Sequence, residues 1–405
     1  MKNGHVRKIM IIGTNVMNLY SHRLELISRL QSLGYHVIVV CPDRGDADRL
    51  RHLGCTVDSI DFDSRGKNPA HDLQLLKAIK KIIRAERPDL VYTFYTKTNI
   101  YGGLAARSLG VPYIENITGL GSGIARGGLL SKVMMKLYMA AIGKASYVYF
   151  QNKRDLGFFR SHGIDPKVCH LLPGSGVSLH RFYPLPYPDE KPATFSFISR
   201  ILDEKGINEY LEAAKIIRET HPDTRFLVVG PCASASHLAK IKEYEKHGII
   251  SYHPQSSDIR PFLEMSHCNV FPSYYAEGMA NILLESAACG RPVITTSMPG
   301  CGETVDDGKT GFIVKPRNVG DLVKQIEKIL LMTNEQRKAM GMKGRKKVEK
   351  EFNREIVTEA YIDATEKILG PAPVHKSSQR QNAKPKSRES NLPKKPRRKS
   401  QVYNK

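Results

Sequence analysis

Between Phe271 and Gly290 the chain reads Phe-Pro-Ser-Tyr-Tyr-Ala-Glu277-Gly278-Met279-Ala280-Asn281-Ile-Leu-Leu-Glu285-Ser-Ala-Ala-Cys-Gly, with two glutamates eight positions apart. On a helix opening at Gly278, Glu285 stands about 12 Å along the axis from Glu277 and about 80° around it. Both carboxylates then address one elongated, hydroxyl-rich ligand. Carboxylates accept shorter and stronger hydrogen bonds from hydroxyls than neutral groups do, and the unpaired N–H groups of Gly278, Met279 and Ala280 suit an anion. Hydroxyls at both ends with phosphate between them describe a nucleotide-sugar. The same spacing also arises on an ordinary amphipathic helix with Ile282, Leu283 and Leu284 in the core, so neighbouring residues must decide.

Upstream, Ser199-Arg200-Ile-Leu-Asp-Glu-Lys205-Gly206 places two cations between an apolar run and the next helical pattern. Two cations at a helix start neutralise a diphosphate. A leaving nucleoside diphosphate needs this stabilisation of developing charge more than it needs a general acid. Asp61-Phe-Asp63 matches an Asp-x-Asp metal pattern but lies far from these groups in sequence and reads as a solvated loop. The histidines are dispersed, and the seven cysteines form no Cys-x-x-Cys pair. Neither a zinc site nor a disulfide framework is expected, and no Mg²⁺ or Mn²⁺ requirement.

The elements that must carry these groups alternate. Lys8–Gly13 is a strand, Ser21–Leu33 a helix, Gly34 a stop and His36–Cys41 a second strand, and the alternation continues through Asp89–Phe94, Val111–Asn116 and Tyr147–Phe150. Such βαβ order predicts a parallel sheet covered on both faces. Past a proline-rich linker, residues 181–192, a second series opens with strands at Thr194–Ser199, Arg225–Gly230, Asn269–Pro272 and Arg291–Thr296. The fold class is therefore α/β, two Rossmann-like domains facing a cleft, with ligands at the carboxyl ends of the strands. The expected bounds are 1–180 and 193–350, with a helix at 351–370 returning to the first domain and a disordered tail at 371–405.

That tail holds eleven Lys and Arg against one acid among Ser, Pro, Gln and Asn, too little apolar matter to offset its ordering entropy. The formal net charge of +22 favours polyanions, nucleic acid or an anionic membrane surface, without choosing between them. The run Pro393 to Lys399 either attracts lipid headgroups or serves solubility. Between Ile124 and Phe150, Arg126, Lys132, Lys136 and Lys144 interleave with Leu129, Leu130, Val133, Met134, Met135, Leu137 and Met139. This is either a basic amphipathic helix resting in a headgroup layer or a core-facing helix with a solvated edge. No apolar run approaches a membrane span or a signal sequence. The expected compartment is the cytoplasm, with peripheral attachment to the cytoplasmic membrane.

Arg200-x4-Lys205-Gly206, Glu277-Gly278-x2-Asn281-x2-Leu284-Glu285, and Gly290-x-Pro292-Val293 followed by Gly300-Cys-Gly-Glu303 resemble family 4 of the retaining glycosyltransferases, enzymes of two Rossmann domains (GT-B). The similarity spans roughly residues 1 to 370. Pro88-Asp-Leu-Val-Tyr-Thr, Lys97-x-Asn99-Ile-Tyr-Gly-Gly103 and Asn116-Ile-Thr-Gly-Leu-Gly121 resemble a bacterial subset, N-acetylgalactosaminyltransferases among them, that builds surface polysaccharide or protein-linked glycans on undecaprenyl diphosphate. The resemblance implies that the first domain binds acceptor and the second a UDP-sugar donor. Arg200 and Lys205 then hold the diphosphate, Glu285 the ribose and Glu277 the hexose, with Gly278, Met279, Ala280 and Asn281 beside them. Gly13 resembles the N-terminal glycine loop of that family, although Thr14 and Asn15 follow where further glycines would be expected. Many relatives place a histidine where this chain has Thr118, so a histidine base is not available there. Retention in the family is attributed to same-face attack in which a donor phosphate oxygen takes the acceptor proton. Thr14, Glu115, Asn116 and Thr118 are the acceptor-side candidates.

The expectation is a metal-independent hexosyl or N-acetylhexosaminyl transferase with no cofactor beyond its UDP-sugar substrate. Its partners are a lipid-linked saccharide and an anionic membrane surface, and no nucleic acid is expected. A UDP-N-acetylglucosamine 2-epimerase-type isomerase shares the architecture, and a polyanion-binding protein led by its tail is a third reading.

Overall fold

The computed structural model describes residues 6–372 except 65, 67, 120–127 and 190. The tail from 373, Leu120 and Gly121 of the Asn116–Gly121 motif, and the start of the basic stretch, Arg126 included, lie outside the described residues.

Seven parallel strands make the first sheet: β1 (Lys8–Ile12), β2 (His36–Cys41), β3 (Thr56–Ser59), β4 (Leu90–Phe94), β5 (Tyr113–Ile117), β6 (Tyr147–Phe150) and β7 (Cys169–Leu171), in the order β3-β2-β1-β4-β5-β6-β7. Helices α1 (Val16–Ser32), α2 (Asp48–Arg51), α3 (Pro69–Glu86), α4 (Thr96–Ser108), α5 (Leu129–Ile142) and α6 (Lys153–Ser161) connect them. Every residue of β4 and of β5 is buried, as a strand covered on both faces requires. Local chemistry sets the helix starts. Asn15 caps α1 by accepting from Asn18 N at 2.7 Å, and Asn68 caps α3 ahead of Pro69, whose missing N–H costs nothing in the first turn. The short strands β3 and β7 escaped the sequence reading, since three or four residues carry no period.

The second sheet holds β8 (Ala193–Ile198), β9 (Thr224–Val229), β10 (Ser251–His253), β11 (Cys268–Phe271), β12 (Val293–Thr296) and β13 (Gly311–Val314), all parallel, in the order β10-β9-β8-β11-β12-β13. Around it lie α7 (Ile207–Thr220), α8 (Ala235–Lys246), α9 (Arg260–Glu264), α10 (Asn281–Ala288), α11 (Val319–Leu331) and α12 (Asn334–Glu351). The last helix, α13 (Arg354–Leu369), leaves the second sheet and packs on the first. The Tyr361 ring packs tilted against Tyr149 and Tyr92, with centroids 4.8 and 5.3 Å away, and its hydroxyl accepts from Asn116 Nδ2 at 2.7 Å. Both sheets thus lie in one compact unit, the two doubly wound halves expected from the alternation.

Strand order reverses direction between β1 and β4 in the first sheet and between β8 and β11 in the second. In an open parallel sheet the loops leaving such a pair of strands diverge, and the crevice between them takes the ligand. Thr14 follows β1, Arg200 follows β8, and Glu277 follows β11.

Candidate active site

From β8 the chain emerges at Ser199 and Arg200, whose side chain is exposed with no ion-pair partner among the described residues. A single 3₁₀ turn, Asp203–Lys205, then ends on Gly206 with φ of 81°. A Cβ at Gly206 would lie 2.3 Å from the Pro272 carbonyl, so only glycine lets this turn sit against the loop after β11. The turn drives Lys205 inward. Its ammonium donates to Glu277 Oε1, while the Phe271 and Tyr275 rings stand 5.7 and 5.8 Å from it. Side chains of Lys205 and Glu277 are only 11% and 16% exposed, so solvent screens this pair little.

The segment around Glu277 is not helical, which corrects the first expectation. Glu277 N donates to Pro299 O at 2.9 Å and Ala280 N to Gly300 O at 2.8 Å, so the 299–300 loop holds residues 277–280 extended and α10 opens at Asn281. Three consequences follow. The 12 Å helical offset between the glutamates does not apply; the Ala280 amide is spent on Gly300 and is not an anion donor; and the amides that remain for a ligand are those of Gly278 and Met279. Gly300 is itself required, since at φ of 77° its Cβ would stand 2.5 Å from Glu277 O.

Glu285 leaves the second turn of α10 half-buried. Burial pushes its carboxyl up to about 7, with Arg354 and Arg181 offsetting part of the rise. Asn281 reaches across to the first domain, its amide 3.5 Å from His22 Nδ1. Burial first, and then Arg354, Arg23 and Arg181, hold His22 down to about 3. It is neutral at physiological pH, and this basic surround suits a ligand that brings its own negative charge.

Asn152, which caps α6 by accepting from Asp155 N at 2.8 Å, was not anticipated as a functional residue. Its Nδ2 donates to Glu277 O at 3.0 Å and Gly278 O at 3.2 Å, joining the first domain to the glutamate loop. The contact is close throughout. A Cβ on Gly278 would lie 2.2 Å from Thr118 O and 2.8 Å from Gln151 Oε1. The Asn-Lys-x-Asp cap at 152–155 was legible as a helix start, but nothing in it betrays a partner 125 positions away.

On the acceptor side the structure separates the four candidates. Thr118 faces Gly278 and Thr14 lines a cavity at the carboxyl edge of β1, while Gly13 closes that strand by donating to Val40 O at 3.0 Å. Glu115 and Asn116 do not reach the cleft. Side chains alternate across β5, so Glu115 turns under α4, where both oxygens are buried without a hydrogen-bond partner and a Cβ at Gly103 would overlap it. Burial raises its pKa well above the ordinary carboxylate value, and its place under α4 keeps it from a substrate in the cleft. Asn116 turns the other way, between Tyr361 and Gln151, and holds α13 in place. Asp61 and Asp63 line a cavity of the first domain whose lining includes neither Lys205 nor Glu277. Among the described residues no group of three or more His, Cys, Asp or Glu side chains is arranged to hold a metal ion.

Two facing Rossmann-type domains, with a buried lysine–glutamate pair at the switch point of the second and its loop sealed onto the first, define a glycosyltransferase of the GT-B class. The model for group 1 glycosyl transferases matches residues 186–347 and that for glycosyl transferase 4-like domains matches residues 10–152, so each half of the chain is that of a glycosyltransferase. It is 26% identical over 370 residues, 87% of this chain and 96% of the relative, to the N,N'-diacetylbacillosaminyl-diphospho-undecaprenol alpha-1,3-N-acetylgalactosaminyltransferase of Campylobacter jejuni. It is 24% identical over 352 residues, 81% of this chain and 88% of the relative, to the UDP-Gal:alpha-D-GlcNAc-diphosphoundecaprenol alpha-1,3-galactosyltransferase of Escherichia coli. The structure of Anabaena HepE in complex with UDP and glucose superposes with a TM-score of 0.73 at 14% identity, covering 89% of this chain and all of that one, and shares its fold. These matches do not favour the isomerase alternative.

Proposed function

We propose that this glycosyltransferase transfers a hexose or N-acetylhexosamine, with retention and without a metal, from a UDP-sugar to an undecaprenyl diphosphate-linked saccharide. The observation that carries the reading is the buried Lys205–Glu277 pair at the β8/β11 switch point, with exposed Arg200 beside it. Lys205 has two further N–H groups, which with Arg200 and the Gly278 and Met279 amides take the diphosphate. Glu277, set by Lys205 and by Ser273 Oγ at 3.4 Å, accepts from hydroxyls of the transferred sugar. Glu285, eight residues on, takes the ribose.

In the reaction the bond from the anomeric carbon to the β-phosphate oxygen breaks and the acceptor oxygen bonds to that carbon from the same face. The acceptor proton passes to the departing phosphate, and UDP leaves. Glu115 is buried under α4 away from the cleft, and Thr118 cannot serve as a base, which supports transfer of the proton to the donor phosphate itself. The lipid-linked acceptor is supported by the activities for which the Campylobacter and Escherichia relatives are named. No helix among the described residues is long and apolar enough to cross a membrane, and Lys132, Val133 and Lys136 form an exposed stripe on α5. We place the enzyme peripherally on the cytoplasmic membrane surface, through this stripe and the basic tail.

The test is a panel of UDP- and GDP-sugars offered with short undecaprenyl diphosphate-linked acceptors, with and without EDTA, and the anomeric configuration of product read by NMR. Transfer from one UDP-sugar with retention, insensitive to EDTA, is the expected result. Epimerisation of UDP-N-acetylglucosamine without acceptor, or inversion, overturns the reading.

A further inference from the structure

Lys205 meets a diphosphate in one place only if the short turn that carries it holds still, and that turn is gripped from two sides. On the side of β11, the Glu204 carbonyl accepts from Tyr274 N at 3.1 Å and from Ser273 Oγ at 3.0 Å. On the other side, the Asp203 carboxylate accepts from Asn208 Nδ2 at 2.6 Å, in the first turn of α7, and meets His237 Nε2 at 2.9 Å. Lys240, one turn further along α8, donates to Asn208 Oδ1 at 2.9 Å and completes the chain of contacts. Both residues that precede Lys205 are therefore fixed by groups outside the turn.

His237 belongs to a different loop from the turn it touches. It stands in the first turn of α8, where its own N–H donates to the capping Ser234 Oγ at 3.3 Å. The segment between β9 and α8 runs beside the loop after β8, and Ile201 N donates to Pro231 O at 3.0 Å. An ionised carboxylate has no hydrogen to give, so the His237 ring donates from Nε2. That bond is the first of the causes that hold Asp203 below the ordinary carboxylate range. The His237 side chain is 17% exposed and that of Asp203 54%, and a pair so open to solvent adds little to the stability of a fold. Its consequence is geometric. A ligand-binding side chain has to be held within about 0.5 Å by its supporting contacts, and this one bears on the turn that delivers the Lys205 ammonium to Glu277.

We infer that His237 is a positioning residue of the donor clamp: through Asp203 it holds the turn that aims Lys205 at the donor diphosphate, and it ties that aim to the loop after β9. The inference rests on the reading of Lys205 as a ligand of the diphosphate. His237 itself touches no substrate in this role.

The probe is UDP, titrated calorimetrically into the full chain, into His237→Ala, His237→Gln and Lys205→Ala, and into the chain carrying both alanines, with urea unfolding measured beside each. His237→Ala should weaken UDP about tenfold with little change in the unfolding midpoint. His237→Gln keeps an N–H donor at about the reach of Nε2 and should restore affinity to within threefold of the unmodified chain. Added to Lys205→Ala, the His237→Ala change should cost less than twofold, because the group it positions is gone. Affinity within twofold in His237→Ala overturns the positioning role, as does a tenfold loss that persists in the Lys205→Ala background. A loss that glutamine fails to restore, or a fall in the unfolding midpoint large enough to account for it, marks His237 as structural and overturns it too. Undiminished UDP affinity in Lys205→Ala refutes the clamp reading and the positioning role together, whereas a loss there beside none in His237→Ala refutes the positioning role alone.

Discussion

Replacing Asn152 tests whether the seal between the domains positions the donor loop or merely stabilises the fold. The residue is 3% exposed and has two separable jobs. Its Oδ1 caps α6 through Asp155 N, and its Nδ2 shares two N–H groups among Asp155 Oδ2 at 3.0 Å, Glu277 O and Gly278 O. Asn152→Ser keeps a good cap and deletes the bridge. Two neutral hydrogen bonds at about 1 kcal/mol each make the closed arrangement about 2 kcal/mol less favourable, or roughly 30-fold in its population relative to the open one. Asn152→Ala deletes the cap as well, adding a stability loss of about 1 kcal/mol. Steady-state kcat/KM for the donor and urea unfolding separate the two effects. The serine variant should lose about ten- to thirty-fold in kcat/KM with stability near that of the unmodified chain, and the alanine variant should lose both. Kinetics within twofold for Asn152→Ser would show that the bridge does not set the geometry of the Glu277 loop.

Glu277→Gln should lower turnover by at least about 100-fold, as loss of a charge-assisted contact to the reacting sugar implies, while UDP titration calorimetry reads an affinity within a few-fold; a fully active variant with correct product configuration excludes Glu277 from the sugar. Lys205→Ala leaves the Glu277 carboxylate beside two aromatic rings without its cation, and should cost about 100-fold in UDP affinity as well as turnover. Because burial favours the neutral form of Glu285, its contribution to stability is present below the unfolded value of 4.5 and is lost as pH rises through about 7. His22 acts in the opposite sense, contributing above 6.5 and less as pH falls, so the readout is the difference between the unmodified chain and Glu285→Gln. Near pH 3.5 the two should unfold alike, and near pH 8 the glutamine variant should be more stable by about 2 kcal/mol, allowing for the solvent-facing edge of the carboxylate; parallel curves refute the shift. Gly278→Ala drives a methyl into Thr118 O and should abolish transfer with little change in the stability of either sheet, as two-probe denaturant unfolding would check.

The candidates of the donor side could be gathered from the sequence because they are local. Arg200, Lys205 and Gly206 fall within one loop, Glu277 to Glu285 within one loop and helix, and strand periodicity placed both loops at carboxyl ends of strands. Where the reading failed, a tertiary bond had overridden local propensity. Gly278-Met279-Ala280 continues into helix readily enough that nothing in the sequence announces the two backbone bonds from Glu277 and Ala280 to Pro299 and Gly300, which delay the helix to Asn281. Likewise, alternation along β5 guarantees that Glu115 and Asn116 face opposite ways, and the 351–370 helix was expected on the first domain, but not that it would cover the Asn116 side.

That covering helix explains why the surroundings of Glu285 were the least legible part of the candidate site. Glu285 comes from α10, Arg181 from the linker, Arg354 from the first turn of α13, and His22 from α1, four segments with no common motif. Arg354 is itself fixed by Glu25 at 3.0 Å, the Ser21 carbonyl at 2.9 Å and the Gly176 carbonyl at 3.1 Å, all from the first domain. The charge that tunes a carboxylate of the second domain is therefore oriented by the first. Ligand affinity at Glu285 and closure of the domains are consequently coupled through one guanidinium, and any change that loosens α13 from α1 must alter both.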